Sequence, residues 1–304
     1  MDGILIIDKP AGITSHDVVS RVRRILKTKR VGHTGTLDPF ATGVMVVVVG
    51  KATRLAQFLD KDNKEYEAVV RFGFETDTGD CTGLRIAECG MGTEEIAEVL
   101  ANADWEMVFD AFRGEIEQTP PMYSAKKIDG TKLYEHARKG EIVERPSTRV
   151  TISALDVIEP AIRDPQSAIE TLRIRVACSA GTYIRTLAEE IGRAVGVGAH
   201  LAELRRTRAG RFDIGQSVTL DELAEADDPA TRLLPLEMAV SHLVSISLNE
   251  DRAAKTRGGL STRIQDAAFD DGKRLRMLDE SGTLLAIGVY DEAEKSVRPK
   301  VVLL

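Results

Sequence analysis

The amino-acid sequence predicts an α+β protein, and three of its features lead to that class. The run Val44–Val49 is apolar throughout and mostly β-branched, which is typical of a central strand buried on both faces. Residues 64–74 and 171–179 alternate apolar and polar side chains, the period of strands with one buried face. Segments with helical spacing lie between these strands, but they do not follow the regular strand–helix alternation of a doubly wound sheet.

The chain begins with a predicted strand and a predicted amphipathic helix. The strand GILIIDKP ends at Pro10 and Gly12, and the helix TSHDVVSRVRRILK takes Thr14 or Ser15 as its N-cap. The apolar residues of this helix recur at helical spacing: Val18, Val19, Val22, Ile25 and Leu26. This spacing turns the apolar stripe inward and leaves most of the basic residues outward.

The next predicted elements mix strands with helices. In the strand KEYEAVVRFGF, Tyr66 shares a face with Ala68 and Val70. The segment TEEIAEVLANA predicts a helix, and TLRIRVACS predicts a second alternating strand with Arg173 and Arg175 on its polar face. The segment TYIRTLAEEIGRAVG predicts a helix that begins directly after that strand.

The chain divides into two predicted domains. Residues 1–240 form the larger one, and within it residues 114–140 are a long, basic, proline-containing excursion. Excursions of this length in compact domains are usually functional or mobile. Residues 241–304 form a small β-rich domain, because RLRMLDESGTLLAIGVYD predicts two short strands around a turn at residues 280–282.

Composition excludes several classes of protein. A chain of 304 residues with 43% hydrophobic content supports a sizeable core. No run approaches the ~18 apolar residues of a membrane span, and the N-terminus lacks the pattern of a signal peptide. Cys81, Cys89 and Cys178 lack the spacing of a metal or redox motif, so we expect reduced thiols in a cytoplasmic protein.

The charge of the chain is segregated. The net charge is −7, which by itself disfavours a nucleic-acid partner. Basic residues nevertheless cluster in RVRRILKTKR, LRRTRAGR and AKKIDGTKLYEHARKG, whereas acidic residues concentrate in DELAEADD and DEAEK. The alternative interpretation is a set of solvated helix faces. Because the basic clusters flank the most unusual motifs of the chain, we expect them to bind a polyanion.

One acid, Asp38, lies in the unusual stretch RVGHTGTLDPFATGVMVVVVG. Pro39 biases the residue before it toward an extended or turn conformation, and Gly35 permits a positive φ. An Asx-turn, in which the carboxylate caps its own loop, is the simplest interpretation. A polar loop that ends at a buried strand is also a common position for a catalytic group.

The stretch GHTGTLDPFATGVM resembles the catalytic motif of the TruB family of pseudouridine synthases, which isomerise uridine 55 in the T-loop of tRNA. Further motifs resemble those of the family in the same order along residues 3–215: DKPAGITSHDVV, KEYEAVVRFGFETDTGDCTG, PPMYSAKKIDGTKLYEHARKG, CSAGTYIRTLAEEIG and GAHLAELRRTRAGRF. The remaining C-terminal residues are loosely similar to the PUA-type RNA-binding tail of the family.

The resemblance implies a fold and a partner. The fold is a pseudouridine-synthase-like mixed, largely antiparallel sheet with flanking helices, followed by a small PUA-like C-terminal domain. Residues 114–140 are then an RNA-gripping insertion. The reaction needs no cofactor and no metal, and the substrate is tRNA bound through its T-arm. Nothing in the sequence requires a membrane, a protein partner or an assembly larger than a monomer.

The chemistry of the family breaks the C1′–N1 bond of uridine and rejoins the base through C5, with base flipping and one nucleophilic carboxylate. The resemblance assigns the carboxylate to Asp38 and its charged partner to Arg185, since a guanidinium can bind a carboxylate through two hydrogen bonds. It places Tyr66 against the target uracil, where its oxygen can help to remove the C5 proton. Without the resemblance, Arg185 is a surface residue of an amphipathic helix and Tyr66 is a core aromatic.

The resemblance also implies a set of substrate-binding residues. It assigns His33 to the space that the flipped base leaves, Tyr183 to the pocket wall, and the backbone of Leu204 to contact with the base. It has Asp80 organise the pocket by hydrogen bonds. The alternative for Asp77 and Asp80 is a weak metal pattern, which lacks a third ligand nearby.

Two lysines, Lys9 and Lys126, are expected to contact phosphates of the RNA. His33 has further interpretations as a general base or as a plain turn residue. If His33 is a wedge, its replacement by alanine weakens turnover less than the replacement of Asp38.

Two other functions stay open at this point. The first is a non-catalytic RNA-binding or tRNA-folding protein on the same scaffold, which the presence of Asp38, Tyr66 and Arg185 disfavours. The second is a carboxylate-dependent glycosidase. Such enzymes usually need two carboxyl groups across the scissile bond, and the sequence offers one convincing acid.

Overall fold

The structure is a computed structural model that describes residues 1–124, 126–128, 130–141, 143–164, 169–264 and 269–303. The parts of the predicted insertion and C-terminal domain that lie outside the described residues are Ala125, Asp129, residues 265–268 and Leu304. The basic side chains of the insertion that lie outside the description are those of Lys127, Lys132 and Arg138.

The described chain contains eight α-helices and several short 3₁₀ turns. The helices are α1 (Ser15–Ile25), α2 (Ala56–Leu59), α3 (Thr93–Asn102), α4 (Trp105–Asp110), α5 (Leu133–Arg138), α6 (Ile184–Ala194), α7 (Leu220–Glu225) and α8 (Glu250–Arg257). Helix α1 begins where the sequence predicts, because the Thr14 hydroxyl accepts from the Asp17 backbone N–H and the Asp17 carboxylate accepts from that of Thr14. None of the described helices is long and apolar enough to cross a membrane.

The strands of the described chain fall into a large sheet, a smaller C-terminal sheet and two short hairpins. They are β1 (Gly3–Lys9), β2 (Val31–Thr34), β3 (Thr42–Val49), β4 (Lys64–Phe72), β5 (Phe74–Thr76), β6 (Arg85–Glu88), β7 (Gly114–Gln118), β8 (Lys127–Ile128), β9 (Thr131–Lys132), β10 (Thr148–Asp164), β11 (Ile169–Cys178), β12 (Ala199–Ala209), β13 (Phe212–Asp213), β14 (Val244–Ser247), β15 (Thr262–Arg263), β16 (Arg274–Leu278), β17 (Leu284–Asp291) and β18 (Ser296–Val302).

Nine strands of the described chain form the large sheet, in the order β1-β3-β12-β4-β11-β10-β7, with β2 paired to β3 and β13 paired to β12. Its neighbouring strands are antiparallel, except that β3 and β12 are parallel. Strand β3 is central, since alternate residues enter apolar cores on its two faces. The mixed, largely antiparallel sheet with flanking helices confirms the predicted fold class.

The middle of the large sheet has one apolar face. On β4, Tyr66, Ala68 and Val70 point into a core that also contains Leu187 and Ile191 of α6. Helix α6 therefore packs on this face, as the alternation in β4 and the helical spacing of α6 predict.

The opposite face of the same strands is charged and stays in water. Arg175 Nη2 lies 3.0 Å from Asp156 Oδ2, and Arg173 Nη1 lies 3.4 Å from Glu159 Oε1. Opposite charges on adjacent strands of an antiparallel sheet are favourable neighbours, which explains the polar half of the alternation in β11.

The C-terminal sheet has the order β14-β16-β17-β18-β15 and an apolar core that includes Leu275 and Met277. A second cluster joins the two sheets, because Ile287 of β17 packs in the same core as Ile4 and Val44. The five strands confirm that the C-terminal part is rich in β-structure. The domain boundary at residue 240 remains a prediction.

The predicted excursion, residues 114–140, is more ordered than the sequence suggests. Its first residues form β7, which pairs with β10 in the large sheet. The rest contains the β8–β9 hairpin and helix α5. The insertion therefore emerges directly from an edge strand of the large sheet.

Candidate active site

The loop that carries Asp38 runs between β2 and β3, and neighbouring elements hold its backbone from several sides. Ser15 Oγ accepts from the Leu37 N–H at 2.9 Å and donates to the Leu37 carbonyl at 3.0 Å. The Gly12 N–H donates to the Pro39 carbonyl at 2.8 Å. The position of the Asp38 backbone is thus set by the start of α1 and the end of β1.

The Lys9 side chain also holds this loop by hydrogen bonds to its backbone. Its ammonium donates to the carbonyls of Pro10 at 3.0 Å, Pro39 at 3.1 Å and Ala41 at 2.7 Å. The residue is completely buried, and burial lowers the Lys9 pKa to about 8, against the charge of Asp38, which raises it. All three donors of the Lys9 ammonium are used on backbone carbonyls and the ammonium does not reach the surface, so the structure lends no support to a contact with RNA phosphates, which stays a prediction.

Two glycines allow the loop to pass close to β12. Gly35 and Gly43 have φ values of +64° and +97°, which side chains rarely adopt. A Cβ atom at Gly43 would lie 2.2 Å from the Arg206 carbonyl oxygen. The backbone approach between β3 and β12 therefore requires glycine at this position.

Asp38 and Arg185 form a two-point ion pair. Arg185 Nε lies 3.0 Å from Asp38 Oδ2, and Arg185 Nη2 lies 3.3 Å from Asp38 Oδ1. The remaining guanidinium donors reach the Thr78 carbonyl at 3.0 Å, Asp80 Oδ2 at 3.4 Å and the Tyr123 carbonyl at 2.8 Å. The cation is fully hydrogen-bonded, which fixes the plane in which it meets the carboxylate.

The electrostatics of Asp38 balance burial against the ion pair. Burial raises the pKa of Asp38, the Arg185 charge opposes the rise, and the nearby Asp80 charge adds to it. The Asp38 side chain is nevertheless 33% exposed, whereas that of Arg185 is 6% exposed. The carboxylate is therefore open to a substrate on one side and held by a buried cation on the other.

Asp80 organises the loop that supports Arg185. Its Oδ1 accepts from the Thr78 hydroxyl at 2.9 Å, the Thr82 N–H at 2.9 Å and the Thr82 hydroxyl at 2.5 Å. Asp77 Oδ1 accepts from the Leu84 N–H at 2.7 Å. Both acids thus have protein donors as partners, and both accept hydrogen bonds that hold the turn together.

Tyr66 lies on β4 opposite Arg206 of β12 and Val176 of β11. The ring is buried, with 9% of the residue exposed. Burial raises the pKa of Tyr66, and the adjacent Arg206 guanidinium opposes that rise both by its charge and by a hydrogen bond. Tyr66 also lies within electrostatic range of Asp38.

Tyr183 and Leu204 lie on the elements that adjoin the ion pair and its loop. Tyr183 is the N-cap residue of α6, two residues before Arg185, and Leu204 on β12 is 8% exposed. The Leu204 carbonyl accepts from the Thr42 hydroxyl at 3.5 Å, next to the end of the catalytic loop. The pocket-wall role of Tyr183 and the contact of the Leu204 backbone with the base, which the resemblance implies, remain predictions.

Gln118 was not singled out from the sequence, although it is 1% exposed and lies at the end of β7. Its amide accepts from the Tyr183 N–H at 2.9 Å and donates to the Tyr183 carbonyl at 3.3 Å. It thereby ties the insertion to the N-terminus of α6. The only signal in the sequence is a polar residue at the end of a strand, before the Pro-Pro pair of the insertion.

His33 lies on β2 opposite Val47, and not in a turn. Its Nε2 is 3.4 Å from the Thr36 hydroxyl. Burial lowers the pKa of His33, and the charge of the nearby His16 lowers it further. The neutral imidazole is therefore favoured over the imidazolium cation. A neutral, flat ring suits the stacking role that the resemblance implies for His33.

The basic segments of the sequence divide into surface and interior residues. Arg21, Arg24 and Lys27 of the first cluster are exposed. In the second cluster, Arg206 is buried, whereas the partly exposed Arg205 is paired with Asp8 at 2.7 Å. The Lys126 ammonium donates to the Thr148 hydroxyl at 2.6 Å at an exposed site, where a phosphate contact remains a prediction.

Comparison with family models covers most of the chain. Residues 23–184 match the model described as TruB family pseudouridylate synthase, N-terminal domain. Residues 185–241 match the model described as tRNA pseudouridylate synthase B C-terminal domain.

Similar proteins and structures agree with these matches. A protein of Geobacillus thermodenitrificans named tRNA pseudouridine synthase B is 45% identical over 87% of this chain and 86% of its own length. A Bacillus subtilis protein of the same name is 39% identical over 100% of this chain and 98% of its own. A solved structure of an H/ACA ribonucleoprotein bound to a substrate RNA containing 2′-deoxyuridine has a chain that aligns with a TM-score of 0.70 and 26% identity, covering 99% of this chain and 85% of that one. A chain of a Cbf5–Nop10–Gar1 complex aligns with the same TM-score of 0.70 and 28% identity, over 99% of this chain and 85% of its own.

Proposed function

This chain belongs to the TruB family of pseudouridine synthases, and from that premise we propose that it acts at uridine 55 in the T-loop of its tRNA substrate. As a member of the family it is an isomerase that converts uridine to pseudouridine in tRNA. The observation that carries the proposal in this chain is the two-point pair between Asp38 and Arg185 on a braced loop. A carboxylate held in this way and still open to solvent suits a nucleophile better than a turn-former.

In the proposed reaction Asp38 is the nucleophile. Its carboxylate acts on the substrate as the C1′–N1 bond breaks, and it is released once C5 has joined C1′. The proton lost from C5 is balanced by the one that N1 gains, so the isomerisation needs no oxidant or reductant. Attack at C1′, attack at C6 and elimination to a glycal all use the same carboxylate.

Arg185 and Asp80 prepare the nucleophile. Arg185 holds both oxygens of Asp38 and favours its ionised form against burial. Asp80 anchors the guanidinium from the other side at 3.4 Å and is itself held by Thr78 and Thr82. The pair thus orients the carboxylate before the substrate arrives, which is how geometry lowers a barrier.

Tyr66 supports the base after it has left the RNA stack. The ring is buried on β4, within electrostatic range of Asp38, and offers a flat face for the uracil. Its oxygen is the candidate acceptor of the C5 proton. Tyr183 and the backbone of Leu204 complete the proposed pocket.

The RNA is bound by the exposed basic face of α1 together with Lys126 of the insertion. Flipping a base costs a few kcal/mol of stacking and pairing. His33, neutral and half-buried on β2, fills the space that the base leaves. The substrate region is the T-arm, and one copy of the chain carries the whole proposed site.

A cytoplasmic location fits the same proposal. The described cysteines, Cys81, Cys89 and Cys178, are free thiols, which suits a reducing compartment.

The proposal is tested with an unmodified tRNA transcript and the purified protein. Pseudouridine is located along the RNA by carbodiimide labelling and primer extension, and a transcript with cytidine at position 55 is the matched control. We expect modification at position 55 alone in the first RNA and none in the second. Modification elsewhere in the T-arm, or in both RNAs, contradicts the assignment of the site.

The same RNA separates the alternative functions when its uridines carry tritium at C5. An isomerase releases tritium without free uracil, whereas a glycosidase releases free uracil. A tRNA-binding protein without catalysis binds the RNA and releases neither. Free uracil, or binding alone, would overturn the proposed reaction.

A further inference from the structure

Arg206 of β12 is a buried cation that the roles described above do not use. It belongs to the basic segment LRRTRAGR, yet only 1% of the residue is exposed, and it heads the largest fully buried side chains of the described residues. It therefore cannot contact a phosphate from its observed position. Its neighbours in the segment, Arg205 and Arg208, are partly or fully exposed.

The guanidinium of Arg206 joins three elements. Nε donates to the Val44 carbonyl of β3 at 2.6 Å, and Nη2 donates to the Gly35 carbonyl at the start of the catalytic loop at 2.8 Å. Both acceptors are neutral carbonyls, so the charge of Arg206 is not cancelled by them. A buried cation on neutral acceptors is costly for the fold, and an arginine cannot escape the cost by losing its proton.

Tyr66, which the proposed function places against the uracil, lies beside this cation. It lies opposite Arg206 in the register of β4 and β12. Three groups on the elements packed against the Tyr66 hydroxyl affect its ionisation: Arg206 favours the phenolate, whereas Cys178 of β11 and Asp38 of the catalytic loop oppose it. Arg206 is the one cation among these neighbours.

We propose that Arg206 is a positioning residue that couples the two catalytic elements, because one guanidinium holds both the start of the Asp38 loop and the side of Tyr66. The inference rests on the proposed function of Asp38 and Tyr66. The two hydrogen bonds of the Arg206 guanidinium form a fork that connects Val44 with Gly35, so a shift of the loop would also displace the guanidinium beside Tyr66. The burial of this positive charge between the loop and Tyr66 is then explained by the reaction.

The test uses the full chain and compares Arg206→Met and Arg206→Lys with the wild type on tritiated tRNA. Arg206→Met removes the charge and the fork, and we expect kcat to fall roughly 100-fold with little change in KM, the loss that a misplaced catalytic group produces. Arg208→Met is the matched variant, since it removes an exposed arginine from the same strand. We expect it to raise KM and to leave kcat near the wild-type value.

A pH profile separates positioning from a merely structural role. The Arg206 charge lowers the pKa of Tyr66, so its loss raises that pKa. In the profile of kcat against pH, the limb that depends on the ionisation of Tyr66 should therefore move to higher pH in Arg206→Met. In Arg206→Lys the charge is kept but the fork is lost, and we expect a lower kcat with the limb unmoved.

The folded fraction of each variant is measured by circular dichroism and urea denaturation. If Arg206→Met does not fold, Arg206→Lys decides, with Gly35→Ala as the complementary variant. A Cβ atom at Gly35 would lie 3.3 Å from Arg206 Nη1 and would disturb the same contact from the other side. A drop in kcat in both variants supports the proposal.

Wild-type kcat per folded molecule in both Arg206 variants, together with an unmoved pH limb in Arg206→Met, would overturn the inference and leave Arg206 a structural residue. Failure of the wild-type protein to release tritium would overturn the proposed function instead. The two failures are therefore distinguishable in one set of assays.

Discussion

At the scale of single residues, the Arg185 guanidinium holds the Asp38 carboxylate at two points and leaves it partly exposed. The family resemblance implies that Asp38 and Arg185 form a carboxylate–guanidinium pair, and the structure brings the two side chains together at 3.0 Å. Lys9 is the opposite case. Lys9 is expected from the sequence to contact RNA phosphates, but side-chain burial depends on strands that are distant in sequence, and Lys9 is completely buried.

The charges of Arg185 and Asp80 act in opposite directions on the pKa of Asp38, so their removal should shift the pH dependence of the reaction in opposite directions. Arg185 lowers the pKa of Asp38 and Asp80 raises it. We therefore expect the acid limb of kcat/KM, which reports the free enzyme, to move to higher pH in Arg185→Met and to lower pH in Asp80→Asn. The measurement is tritium release across the acid range under conditions where both variants stay folded. A shift of the acid limb in the same direction in both variants would contradict the electrostatic account.

His33 predicts a graded effect. If its ring fills the space of the flipped base, its loss removes part of a stacking energy of a few kcal/mol. We expect His33→Ala to lower turnover roughly 10-fold, far less than Asp38→Ala. The two variants are compared by tritium release at saturating tRNA. Equal and complete loss in both would show that His33 takes part in the chemistry.

At the scale of elements, the alternation of apolar and polar residues is informative because the backbone of a strand alone directs successive side chains to opposite faces. It correctly places Tyr66, Ala68 and Val70 on the face of β4 that packs against α6. The strand that contains His33 was harder to predict. Val31–Thr34 is a short edge strand that pairs with β3, and its glycine and polar residues gave the pattern of a turn.

The junction between α1 and the catalytic loop also lies at this scale. Ser15 is 3% exposed and bonds both the N–H and the carbonyl of Leu37. Ser15→Ala leaves buried polar groups without partners and should lower the free energy of unfolding by about 1–3 kcal/mol. Because the loop carries Asp38, we also expect kcat to fall roughly 10-fold or more.

Thr14→Ala is the control for this prediction. Thr14 caps the same helix at an exposed position, and its loss should cost about 1 kcal/mol without changing kcat. Urea denaturation and tritium release are measured for both variants. A kcat loss in Thr14→Ala equal to that in Ser15→Ala would mean that the helix, and not the Leu37 contact, controls the loop.

At the scale of the whole molecule, two features follow from packing that the sequence does not display. The first is the joining of the two sheets through one apolar cluster, which contains Ile287 from β17 and Val44 from β3. The second is the separation of the basic segments into surface residues and a buried cation, Arg206. Motifs locate such residues along the chain, but only the sheet order decides which of them meet.

The shared core predicts that the C-terminal sheet unfolds together with the large sheet. Trp105 is the only tryptophan of the chain, and its ring packs 5.8 Å from that of Phe72 in the large domain. Ile287→Ala in the C-terminal sheet should lower the free energy of unfolding by about 2–5 kcal/mol, and the fluorescence of Trp105 should report the whole loss. A Trp105 transition unchanged by Ile287→Ala would show that the sheets unfold separately.

The central claim is that the Asp38 carboxylate performs the isomerisation, and Asp38→Asn tests it most directly. Burial raises the pKa of Asp38 in the folded state, so the stability linked to its protonated form is present at low pH and is lost as the pH rises through that pKa. The neutral asparagine avoids this cost at neutral pH, and we expect a folded protein that still binds tRNA. The measurement is single-turnover tritium release from tRNA labelled at uridine C5. We predict a loss of at least ~1,000-fold relative to wild type, whereas release within ~10-fold of wild type by folded Asp38→Asn would contradict the account.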